Sequence, residues 1–144
     1  MSEEIWNHVR EAVDHWAEGR RRESVQILAM LAETQQPRTM YAVALCIGTV
    51  AKAALTKMHG RHSHVDFWGI RTLDGSRPED TVPAPDLFAA RFITAHLNND
   101  TDTTLALYLA AYRSNDPDLF PACMRTLLAA AGEAVIAATP GADR

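Results

Sequence analysis

The stretch MYAVALCIGTVAKAALTKM, residues 40–58, decides the fold. Read at helical spacing, Tyr41, Ala42, Val43, Ala44, Leu45, Cys46, Ile47 and Val50 surround its axis, and only Thr49 and Lys52 interrupt them. PACMRTLLAAAGEAVIAA, residues 121–138, has the same character. A helix that is apolar on all sides must be enclosed by protein. A chain of 144 residues has material for one core, so both helices are predicted to lie at its centre and to touch. Small residues offer a route for close approach: Ala44, Gly48 and Ala51 on the first helix, Ala131 and Gly132 on the second. Glycine inside a helix costs about 0.5–1 kcal/mol relative to alanine, so Gly48 is expected at the crossing of the pair. Leucine there would overpack it by about 1–3 kcal/mol.

Working outward, Ser2 is a plausible N-cap, and Ile5, Val9, Ala12, Val13 and Trp16 form one helical stripe that Gly19 ends. A second helix is expected from about Glu23, with Val25, Leu28, Ala29 and Ala32 on one side and Ile27 and Leu31 beside them. Gln35-Gln36-Pro37 stops it, because the residue before proline is pushed out of the α region. In the second half, Leu87, Phe88, Phe92, Ala95 and Leu97 are expected to face inward. The next helix opens at Asp100–Asp102 and presents Leu105, Leu109 and Tyr112 to the core. Asp116-Pro117 marks a turn, and Pro121 is expected to open the last helix.

The fold class that follows is all-α: a six-helix bundle in one domain, residues 1–144, with halves at approximately 2–59 and 86–138. The segment 60–85 loses the helical period and gathers Gly60, Gly69, Gly75, Pro78, Pro83 and Pro85, so it reads as a long irregular connection. At an offset of 80 the second half repeats the order of the first: helix, tight turn, helix, proline turn, buried helix. Identities are few, with Pro37/Pro117, Ala42/Ala122 and Ala54/Ala134 among them. A duplication therefore rests on pattern and punctuation.

Composition bounds the function. Hydrophobic residues make up 47% and charged residues 22%, as in ordinary globular proteins. A net charge of −4 argues against a nucleic-acid binder, and the basic cluster Arg20–Arg22 is flanked by Glu18 and Glu23. Cys46 and Cys123 each sit in an apolar run and read as unpaired buried thiols. The acidic start is unlike a signal peptide, and the apolar run Tyr41–Ala51 is shorter than the roughly 20 residues that cross a bilayer. A cytoplasmic protein without membrane or nucleic-acid partners is expected.

His59, His62, His64 and Asp66 form the densest chemical cluster. Neutral imidazoles with a carboxylate are ordinary ligands for zinc and similar ions. Its His-x-His-x-Asp spacing recurs in metallo-hydrolases, but Phe67 stands where they carry a further histidine. Phe67 and Trp68 lie outside regular structure, where aromatic side chains either pin a loop or meet a partner. His15 and His96 fall near matching helix ends and could pair with Glu11, Asp14 or Arg91. Phosphate loops, nucleophile elbows and dinucleotide fingerprints do not occur. Plentiful helices and scarce convergent polar residues favour a non-catalytic interaction or regulatory protein without a cofactor, engaging a protein partner or pairing as a homodimer. The competing readings are a metal-binding enzyme or sensor built on the histidine cluster, and a bundle that binds a small ligand between its halves.

Overall fold

The computed structural model describes residues 3–59 and 81–140. They form six helices: α1 Glu3–Ala17, α2 Arg21–Thr34, α3 Pro37–His59, α4 Ala84–Leu97, α5 Thr101–Tyr112 and α6 Leu119–Ala138. No strand occurs among the described residues. The two all-apolar helices, α3 and α6, make the most extensive helix contact among them. Val43, Ala44, Ala51, Leu127, Leu128 and Ala131 are fully buried in one core that spans both halves. Met40 and Met124 line one groove, while Ala54 and Ala138 line another. The central helices therefore run side by side in the same direction. Both are long and apolar enough, by length and composition, to cross a membrane; here they supply the core.

The halves repeat in detail as well as in order. α1 and α4 each end in a residue with left-handed backbone, Gly19 at φ 85° and Asn99 at φ 57°. The amide after each bonds back to the same point of its helix, Arg20 N to His15 O and Asp100 N to Ala95 O, both 2.8 Å. Gly19 N and Asn99 N bond to Trp16 O and His96 O. This is one Schellman ending made twice, 80 residues apart. The buried polar residues Ser24 and Thr104 are also 80 apart. The third helices, however, match at an offset of 84. The α2–α3 link has two residues, Gln35 and Gln36, whereas Arg113–Asp118 gives six between α5 and α6. At this offset Pro37, Met40, Gly48 and Ala54 meet Pro121, Met124, Gly132 and Ala138. Pro121 sits in the first turn of α6, which starts at Leu119 rather than at Pro121, because an N–H there has no helical acceptor to lose.

The inner faces of α2 and α5 differ from the sequence expectation by one residue in each case. Ser24, Leu28 and Leu31 are buried on α2, and Thr104, Tyr108 and Ala111 on α5. Ala29 and Ala32 are exposed, as are Leu105 (41%) and Tyr112 (43%). Hydroxyl chemistry explains the rotation. Ser24 Oγ donates to Ala12 O at 2.6 Å, which ties α2 to α1. Thr104 Oγ1 donates to Thr101 O and lies 2.9 Å from the Tyr41 hydroxyl of α3. A small residue whose hydroxyl is satisfied can occupy a close helix contact that a larger apolar side chain would hold apart.

Gly48 does not serve the α3–α6 contact. A Cβ there would lie 3.3 Å from the His96 ring and 3.4 Å from Phe92, both on α4. A Cβ at Gly132 would fall against the Trp16 ring of α1, within 2.6 Å of Cγ. Trp16 and His96 are themselves 80 residues apart. Each half thus lays the last turn of its first helix on the glycine of the other half's third helix. Phe92 is fully buried by this arrangement, and burying such a side chain contributes about 1.5–3 kcal/mol, more than the helix penalty of one glycine.

These two seats differ in tightness. Gly132→Ala should destabilise the fold by about 1–3 kcal/mol, although alanine is the better helix former, because the Trp16 ring must move away. Gly48→Ala should be nearly neutral, since the His96 ring needs to yield only slightly. Urea unfolding of both variants checks the pair, and a more stable Gly132→Ala protein would mean that Trp16 does not sit on that glycine.

Candidate binding surfaces

Around the two glycine seats the ring nitrogens make the same kind of bond. Trp16 Nε1 donates to Glu133 Oε2 at 3.0 Å, and His96 Nε2 lies 3.0 Å from Thr49 Oγ1. Glu133 and Thr49 each follow the seat glycine. Arg21 closes the first site: its guanidinium lies 4.9 Å from the centre of the Trp16 ring and 3.5 Å from Glu133. In the second, Thr49 already donates its proton to Leu45 O, so His96 Nε2 carries the proton of the shared bond. Lys52 reaches Asn99 Oδ1 at 3.0 Å nearby. His15 Nδ1 accepts from Arg20 Nε at 2.7 Å, which turns Nε2 toward Glu11 at 3.9 Å. That interaction holds the corner between α1 and α2.

Burial, and then the neighbouring Lys52, lowers the His96 pKa from its ordinary 6.5. The folded protein therefore binds this proton less readily than the unfolded chain does. The contribution is full above pH 6.5 and is lost as pH falls through that value toward the lower pKa of the folded state. An NMR titration of the His96 ring should give a midpoint below 6.5, and His96→Gln should reduce the acid-side loss of stability. A midpoint at or above 6.5 would show that the ring is not desolvated at Gly48.

The other displaced groups also have structural causes. Burial raises the thiols of Cys46 and Cys123, the latter to about 11. Tyr108 is pushed up to about 12 by burial and by Tyr112, and its hydroxyl donates to Pro37 O at 2.7 Å. The hydroxyl and then the amide of Thr103 lower Asp100, which caps α5.

His59 closes α3, and His62, His64, Asp66, Phe67 and Trp68 lie outside the described residues. Among the described residues no group of three or more His, Cys, Asp or Glu side chains is placed to hold an ion.

Among the open clefts of the described residues, two lie one toward each end of the central pair. The first, of about 260 Å3, runs between α2 and the start of α6. Leu28, Met40 and Met124 form its floor, and the outer stripe of α2, Val25, Ala29 and Ala32, forms a wall. Phe120 on the opposite side packs edge-on to Tyr112, with ring centroids 5.2 Å apart. Apolar surface therefore continues from α2 across Phe120 to Tyr112, and along α5 to Leu109 and Leu105. Sequence reasoning assigned these outer stripes to the core. The available signal was that α5 is apolar on every side yet amounts to only twelve residues at the edge of the bundle.

The second cleft, of about 350 Å3, lies between α1 and the C-terminal parts of α3 and α6. Val50, Ala53, Ala54, Val135 and Ala138 line it, with Trp6 and Arg10 on one side and Lys57 on the other.

Comparison of the chain with protein-family models, curated proteins and solved structures gives no match. The fold defines the class: among the described residues, an all-α arrangement of six helices built as two interlocked three-helix halves.

Proposed function

We propose that the protein is a non-catalytic interaction protein that pairs with a second copy of itself through the α2–α6 groove and the apolar strip beside it. The observation that carries this reading is the groove's rim. Glu33 on α2 and Arg125 on α6 face each other across an apolar, methionine-floored channel, and neither makes an ion pair among the described residues. A two-fold contact brings a surface onto itself, so Glu33 of each copy would meet Arg125 of the other twice over. Leu105 and Tyr112 extend the apolar area that such a contact would cover. Among the described residues the displaced titratable groups are dispersed, and each serves packing or a helix cap.

Light scattering coupled to size exclusion, run over a concentration series, tests the pairing. The expected result is a mass that shifts from one chain to two. Glu33→Arg or Arg125→Glu alone should weaken association by about tenfold or more, since each places like charges together at two symmetric points. The double exchange should restore it. A one-chain mass at every concentration, or single exchanges without effect, would refute pairing through this groove.

A further inference from the structure

The second cleft carries a different inference, independent of the pairing surface. Its polar side chains are already committed, with three exceptions. Thr49 Oγ1 donates to Leu45 O and meets His96, and Thr139 Oγ1 donates to Val135 O at 2.7 Å. The remaining polar atoms of its side chains belong to Arg10, Lys57 and the Trp6 indole. Arg10 is held beside the Trp6 ring, 5.7 Å from its centre. No carboxylate among the described residues lines the cleft, and neither cation has an acidic partner among them. The floor between them is aliphatic, and the volume of about 350 Å3 is at the small end for ligand sites.

We infer that this cleft binds a small anionic amphiphile, a medium-chain carboxylate with its tail on Val50, Ala54 and Val135 and its head between Arg10 and Lys57. Both parts of the recognition are present. The alkyl chain removes exposed apolar floor from water, and the head supplies the acceptor that two otherwise unpaired cations lack. The C-terminal ends of α3 and α6 each contribute only about half a negative charge, which the two full positive charges outweigh. A neutral or cationic amphiphile would leave those charges without a partner.

The test uses the full chain and decanoate below its micelle concentration. Binding is followed by calorimetry and by amide shifts of Ala53, Ala54, Val135 and Ala138. Decanol and vesicles of neutral or anionic phospholipid serve as the other arms. Saturable decanoate binding that moves these amides is expected, and Arg10→Gln with Lys57→Gln should weaken it by about tenfold. Ala53 is exposed on the cleft wall, so Ala53→Trp should fill the site and abolish binding without disturbing the core; an unchanged thermal midpoint would verify that. Equal binding of decanol, a double variant that binds as well as the parent, affinity for vesicles alone, or no binding at all would each overturn the inference.

Discussion

Everything in this fold depends on the mutual burial of two helices that are apolar over most of their circumference. Neither α3 nor α6 can be exposed along its length, and each covers only part of the other. The remaining sides must be closed by the flanking helices. That requirement explains why the halves interlock instead of standing beside each other: Trp16 of the first half lies on Gly132 of the second, and His96 of the second lies on Gly48 of the first. The glycines are the contact points of this exchange. A helix that brings a ring against its neighbour's backbone needs a missing side chain there.

The repeat is one of architecture, and its chemistry has diverged at the seats. Tryptophan, glutamate and arginine make one; histidine and threonine, with lysine and asparagine alongside, make the other. Arg21 adds a cation–π contact to the first, an interaction worth about 0.5–1 kcal/mol at exposed sites. The second instead holds a half-buried imidazole in its neutral form. Divergence is also visible on the outside. α2 carries Glu33 and Gln26 among its small apolar residues, whereas the matching helix α5 shows Leu105 and Tyr112 to solvent. The pseudo-symmetry thus supplies the scaffold, and the proposed binding surfaces arise where the halves depart from it.

Helix content, order and the identity of the central pair were legible because they depend on local periodicity and on a mostly apolar circumference. The stripe Ile5, Val9, Ala12 and Val13 is the buried face of α1. Residue type misled where a polar group was satisfied internally: Ser24 and Thr104 look like surface residues but take the inner positions, and this turns Leu105 and Tyr112 outward. Gly48 correctly announced a close approach, but a missing side chain does not say which helix fills the space. The offset of 80 failed for the third helices because Pro117 imitates Pro37, while the structural counterpart, Pro121, lies four residues later. The clefts were illegible for a further reason: their walls come from helices far apart in sequence, and only the packing brings Arg10 to Lys57 or Glu33 to Arg125. The histidine cluster at 59–66 falls largely outside the described residues, and its chemistry stands as read from the sequence.

Native-state hydrogen exchange, read amide by amide, tests the interlocked core most directly. If α3 and α6 close one another, the amides of Ala44–Ala51 and Leu127–Ala134 should exchange only through global unfolding, with one common free energy and one common dependence on denaturant. The outer helices α2 and α5 should open at lower cost. Should one central helix exchange through a smaller opening while the other stays protected, the halves would be separable units, and the account of a shared core would be wrong.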